Sequence, residues 1–325
     1  MTTTSSKAEI QDPTASGNTE NSQALKLGKR LRQYLKKGVT SISVSPDGSM
    51  VAVARADGKV RILDANSVVD VSKFNIDIDT VASGIVFSRD SKFLGVVGRD
   101  SNVHIFNNAT GKKVFTLQGH EHPIRAIAQG PDGALIATAG EETRVMLWRA
   151  ATGKLEKVLS GHTGFVNAVA FSADGALLAS ADASARILVF NVASGKLLHT
   201  LRGHADEVYG VAFRPDGKTL ASAGADGEVL QWDLATGYRT EAFTGHKAAV
   251  RSIAFNRDGT VLASGGEDGQ IFVWDMASGR LDKQLGAGSS PVNALVFDDK
   301  NKNVLFAGGD DNRVVRWNVA SGVGK

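Results

Sequence analysis

The chain has 325 residues, of which 42% are hydrophobic and 22% charged, with 36 Gly, 6 Pro and no Cys. This is the composition of a globular protein rich in tight turns, and it excludes disulfides, thiolate metal sites and cysteine nucleophiles. The net charge of +3 comes from one segment: residues 26–37, "KLGKRLRQYLKK", carry six basic and no acidic side chains, whereas residues 38–325 sum to −1. A general nucleic-acid surface is therefore not indicated.

In chain order, residues 1–24 are small, polar and poor in bulky apolar side chains, so they read as a disordered tail. They lack the basic-then-apolar layout of a secretory signal, and no stretch has the length of a membrane-spanning helix. A cytoplasmic location is the expectation; the alternative is an exported precursor whose processing left this tail.

From residue 38 the chain repeats itself. Gly-His stands at 119–120, 161–162, 203–204 and 245–246, at a constant spacing of 42. Turn aspartates give a longer ladder of Asp47, Asp90, Asp132, Asp174, Asp216 and Asp258, with Lys300 in the seventh place. Within a copy, "VYGVAF" and "VLQW" are short apolar runs bounded by turn residues, as strands are. "RPDG", "GADG" and "LATG" supply turns in which Gly takes positive φ without steric cost. Each copy thus predicts about four strands in roughly 42 residues, too small a sheet to cover its own apolar faces unless copies stack.

Gly-His followed by "LQWD" or "FVWD" resembles the WD-repeat β-propeller family over about residues 26–325. The resemblance implies an all-β fold, a single seven-bladed propeller of four-stranded antiparallel blades spanning 25–325. In that family the first strand closes the last blade. No further outer strand is expected after "VVRWNVASGVGK", so segment 26–37 would supply it as an N-terminal closing strand. Leu25, Leu27, Leu31 and Leu35 fit a strand face, although Leu27, Leu31 and Leu35 also fit a helix. The lysines of this segment suit edge protection or an acidic partner.

The family's buried hydrogen-bonded group implies two complete sets here, His204, Ser222, Asp226, Trp232 and His246, Ser264, Asp268, Trp274. A third set has Glu for Asp: His120, Thr138, Glu142 and Trp148. Blade 4 has His162 and Ser180, but Ser184 stands in the Asp place and Phe190 in the Trp place. Blade 7 has Asp311 and Trp317 but Gly288 and Ala307, and blades 1 and 2 have Asp57 and Asp100 with Leu63 and Phe106.

A Ser-His-Asp grouping also invites a catalytic triad, but these groups recur in several blades and are expected to be buried. The four Gly-His imidazoles sit on separate sheets about 10 Å apart, too far to share a metal held at about 2 Å. "GHEHP" adds His122 two residues from His120, a weak metal signal. "ATGK" and "ASGK" lack the full phosphate-loop run, and "NAT" at 108–110 falls in a turn. No catalytic residue, cofactor or metal is assigned.

The expected role is a non-catalytic scaffold or adaptor that binds one or more proteins through a propeller face. The alternatives are the recognition part of a larger enzyme complex, or a ligand-binding or catalytic propeller using its central channel. The resemblance places partner contacts at the residues opening each inner strand (Thr40, Ser83, Arg125, Asn167, Tyr209, Arg251, Asn293) and just before each turn Asp (Ala56, Arg99, Glu141, Ala183, Ala225, Glu267, Asp310). Of these, Arg99, Arg125, Tyr209, Arg251, Glu267 and Asp310, with Phe165, form the candidate rim, since Arg and aromatics are enriched at interface hot spots. Cross-blade pairing on an ordinary solvated surface is the competing explanation.

Overall fold

The computed structural model describes residues 38–286, 288–320, 323 and 324. Each of the seven copies folds as a four-stranded antiparallel meander whose strands neighbour one another in chain order. Blade 5 shows why. Its strands are Val208–Phe213, Thr219–Gly224, Val229–Asp233 and Arg239–Phe243. The second strand is covered on both faces by neighbouring blades, so Leu220, Ala221, Ser222 and Ala223 have essentially no exposed surface. That double cover explains a run of small residues where a half-exposed strand would alternate. Between the first two strands Gly217 takes φ +68°, and the Asp216 carboxylate accepts the Lys218 N–H at 2.8 Å.

The first strand of each blade is innermost and packs against the first strands of both neighbours. Val39–Val44 of blade 1 meets Val292–Phe297 of blade 7, so the ring is closed. One apolar cluster fills each of the seven junctions between blades. At the last of these, Val39, Ile42, Val51 and Val53 pack on Ala294, Val304 and Phe306. Fully burying one such large side chain is worth about 1.5–3 kcal/mol. The ring is thus held mainly by apolar contacts between blades.

Two outer strands are rudimentary. In blade 1 the outer strand is only Ile76–Asp77, because the segment after Asp64 runs out in turns before returning to Lys59 and Val60. In blade 7 a short outer strand does follow the tryptophan strand, which corrects the sequence expectation: Val323 and Gly324 pair with Asn318 and Trp317. A turn begins at Val319 and Ala320, directly after the tryptophan strand. The tail 1–24 and the expected closing strand 25–37 lie outside the described residues.

Candidate functional site

The Gly-His loops bring an imidazole against the end of the second and third strands of its own blade. In blade 5 the Trp232 indole N–H donates to Ser222 Oγ at 2.8 Å, and Ser222 Oγ lies 2.7 Å from His204 Nε2. His204 Nδ1 in turn lies 2.9 Å from Asp226 Oδ2, and that carboxylate also accepts the Ala205 and Glu228 N–H groups. Blade 6 repeats the chain with His246, Ser264, Asp268 and Trp274 at 2.9–3.1 Å. In blade 3 Thr138 Oγ1 joins Trp148 and His120 at 2.7 Å each, and His120 Nδ1 meets Glu142.

Burial pushes the His204, His246 and His120 imidazoles below their ordinary value, although the partner carboxylate pulls the other way. A neutral ring then donates Nδ1–H to the carboxylate and accepts the hydroxyl proton at Nε2. Every donor in the chain has one acceptor. Leaving one such buried group unpaired costs about 1–3 kcal/mol. Thr138, Ser180, Ser222 and Ser264 have no exposed surface, so these hydroxyls offer no nucleophile to solvent.

Blade 4 corrects the sequence expectation that it lacks the carboxylate. Asp182, fully buried at the end of the second strand, places Oδ2 2.7 Å from His162 Nδ1, while Ser180 Oγ is 2.7 Å from His162 Nε2. Asp182 also takes the Arg186 guanidinium at 3.0 Å and the Ser184 and Arg186 N–H groups. Burial alone would raise its carboxyl pKa; the bond and charge of His162 and the two N–H donors outweigh that and hold it well below the carboxylate range.

The physical reason lies in the residue that blades 5 and 6 carry at this place. A Cβ on Gly224 would stand 2.7 Å from both His204 Nδ1 and Asp226 Oδ1, and one on Gly266 would stand 2.8 Å from His246 Nδ1. The site holds either Gly with Asp two residues later, or Asp with a small residue there. "ASAD" against "ASAG" in the sequence was the available signal.

The remaining blades differ. In blade 2 the imidazole comes from a strand instead of a loop: His104 Nε2 lies 2.7 Å from Asp100 Oδ2, which sequence reading missed. Val96 and Phe106 occupy the hydroxyl and indole places there and are buried. In blade 7 the Trp317 indole nitrogen is buried without a partner among the described residues, with Ala307 in the hydroxyl place.

The strand-opening residues share a feature that spacing could not reveal. In all seven blades the pairing of the first and second strands slips by one residue, and Thr40, Ser83, Arg125, Asn167, Tyr209, Arg251 and Asn293 are the residues left over. Such a bulge re-aims its side chain. Here it aims along the ring. Arg125 Nη1 donates to Asn167 Oδ1 at 2.8 Å, and Asn167 Nδ2 donates to Val208 O at 3.2 Å. Asn293 Nδ2 reaches Val39 O at 3.0 Å, Thr40 reaches Ala82 O, and Ser83 reaches Ile124 O. The Arg251 guanidinium lies 5.4 Å from the Tyr209 ring centre.

The pre-Asp residues lie on the same rim, since the N–H groups of Ala56, Glu141, Ala183, Ala225, Glu267 and Asp310 bond to the loop that opens the inner strand. Glu141 accepts from Arg125 at 3.1 Å, Glu267 pairs with Arg251, and Asp310 accepts from Asn293 at 2.7 Å. Arg125, Tyr209, Arg251, Glu267 and Asp310 are therefore half-buried and engaged with neighbours. Arg99 is exposed. Phe165 is 46% exposed with the Arg125 guanidinium 5.4 Å from its ring centre. Among the described residues no group of three or more His, Asp or Glu is placed to hold a metal, and no helix is long and apolar enough to cross a membrane.

A closed ring of seven four-stranded blades with these histidine–hydroxyl–carboxylate chains defines a WD-repeat β-propeller, and the chain belongs to that family. Residues 111–149, 153–191, 195–233 and 237–275 each match the family described as "WD domain, G-beta repeat". Residues 27–83 match the "Anaphase-promoting complex subunit 4 WD40 domain". Among curated proteins the chain is similar to the WD repeat-containing protein sll1491 of Synechocystis sp., 30% identical over 30% of this chain and 28% of that protein. It is also similar to the meiotic recombination protein rec14 of Schizosaccharomyces pombe, 31% identical over 30% of this chain and 32% of that protein. Topless-related protein 1 of Arabidopsis thaliana is 33% identical over 27% of this chain and 8% of its own length. These matches span about a third or less of each relative.

Proposed function

We propose that this propeller is a non-catalytic scaffold that binds protein partners through the rim formed by the bulged strand-opening residues and the pre-Asp turns. WD-repeat propellers are generally protein-interaction scaffolds, which supports the class of activity. The observation that carries the choice of face is Phe165 together with the Arg125 guanidinium 5.4 Å from its ring centre. Phe165 is a large aromatic left 46% exposed beside Arg125, which is engaged by Asn167 of the next blade and by Glu141. An exposed aromatic on a rigid scaffold loses little entropy on binding and suits a hot spot.

The experiment is affinity purification from the native source with mass spectrometry, comparing the wild type with Phe165→Ser/Arg99→Ser. Both positions are exposed, so the fold is expected to survive. Tyr238→Ser, 76% exposed on the opposite face, is the control. Loss of a partner from the rim variant but not from the Tyr238 variant supports the reading. Loss from the Tyr238 variant alone moves the site to the other face. A stoichiometric enzyme among the captured proteins would make the chain the recognition part of a larger complex.

A further inference from the structure

Two features set blades 7, 1 and 2 apart from blades 3–6, and a third sets apart blades 7 and 1. The first is polar satisfaction. Among the described residues, Arg55 Nε, His104 Nδ1, Asn108 Oδ1, Arg316 Nε and Trp317 Nε1 of blades 7, 1 and 2 are buried with no hydrogen-bond partner, and Glu156 Oε2 is such an atom in blade 3. Ion pairs engage such side chains in both sectors, Arg55 with Asp57 as well as Glu156 with Arg149 and Arg251 with Glu267. A buried polar atom without a partner has more to gain from water when its surroundings open.

The second feature is backbone conformation. Outside glycine, positive φ occurs at Val68, Asp79, Ser91, Ser101 and Asn312 in blades 7, 1 and 2, against Ala185 in blades 3–6. Val68 is β-branched, for which the left-handed region is a true outlier. Ser91 stands where five of the other blades have Gly, such as Gly175 at φ +72°, and Ser101 where three do, such as Gly227 at +80°. The third feature is pairing. Among the described residues, the outer strands of blades 1 and 7 have two residues each, whereas those of blades 2–6 have five to seven.

We propose that blades 7, 1 and 2 open together as one cooperative unit while blades 3–6 stay folded, so that the ring has a built-in sector through which it gapes. Cooperative units that open below the global transition have sparse contacts and exposed hydrogen bonds, and unpaired buried polar groups and strained turns lower the cost of opening further. Blades 3–6, in contrast, each hold a complete histidine–hydroxyl–carboxylate chain. Opening releases the costs stored in the first sector and breaks none of those chains. The junctions that part are the apolar ones between blades 2 and 3 and between blades 6 and 7.

Native-state hydrogen exchange of the full chain, read by mass spectrometry at increasing urea, tests this. Strand amides within 39–107 and 292–318 are expected to exchange on the order of a hundredfold faster than those within 124–286, with a shallower urea dependence. Equal protection in all seven blades, or first opening within blades 3–6, overturns the proposal. A second measurement uses Ser91→Gly/Ser101→Gly, which places there the residue that Gly175 and Gly227 supply in blades 4 and 5. Exchange in the weak sector is expected to slow by at least about threefold with blades 3–6 unchanged. Slowing by the same factor everywhere means one global unit, and also overturns it.

Discussion

Blades 5 and 7 have the same strand order and a bulge at the same opening position, Tyr209 and Asn293, yet their tryptophans differ. Trp232 is 1% exposed and its indole N–H donates to Ser222. Trp317 is half-buried, and its indole nitrogen is buried without an acceptor among the described residues because residue 307 is Ala. Both blades nevertheless fold, since each contributes to two apolar junctions that do not depend on the polar chain. The propeller is built by packing between sheets, and the polar chain adjusts how firmly a given blade is pinned.

The largest expected effect tests the alternative chain of blade 4. Asp182→Gly removes a carboxylate with no exposed surface and leaves His162 and Arg186 without it, at a cost of about 3–5 kcal/mol. Adding Ser184→Asp rebuilds the arrangement of blades 5 and 6 and should recover most of that loss in urea unfolding. A double variant as unstable as the single one would break the equivalence drawn between the two arrangements.

The second expectation concerns acid. His120, His204 and His246 titrate below their ordinary 6.5 in the folded state. Below that pH the unfolded chain binds protons that the folded chain refuses. Their contribution is therefore fully present above pH 6.5 and is lost as the pH falls through the folded values. A further loss follows below 3.8, where Asp226 and Asp268, held low in the folded state, become protonated. Urea midpoints measured stepwise from about pH 8 to about pH 3 should decline in this order. A flat profile down to about pH 4 would mean that the imidazoles titrate normally.

A smaller change sharpens the comparison from the other side. Ala307→Ser places a hydroxyl where blade 5 has Ser222 and gives the Trp317 indole an acceptor. It should stabilise the protein by about 1 kcal/mol in thermal or urea unfolding. A destabilisation would show that the tryptophan of blade 7 is not positioned like that of blade 5.

Much of this was legible in the chain alone. Gly-His at a spacing of 42, the turn aspartates and the Trp-Asp ends announced seven copies of a four-stranded unit, because identical local patterns impose identical turns and strands. The four-residue chains of blades 5 and 6 could be named residue by residue for the same reason. Asp182 was not named, because its carboxylate reaches the same imidazole from a position two residues earlier, and only the crowding around Gly224 and Gly266 shows that the two solutions exclude each other. His104 escaped notice because it replaces a loop residue with one from a strand.

What the sequence by itself determined is the number of blades, their strand content and the polar groups of the regular copies, all local properties that recur with the period. Only the tertiary structure decided where the bulges fall, that Arg125, Asn167, Tyr209 and Asn293 are turned along the ring toward the next blade, and that Phe165 is left exposed among them. Those outcomes depend on which atoms of a neighbouring sheet lie within reach, and that distance is set by how the blades pack around the axis, not by any pattern within one repeat.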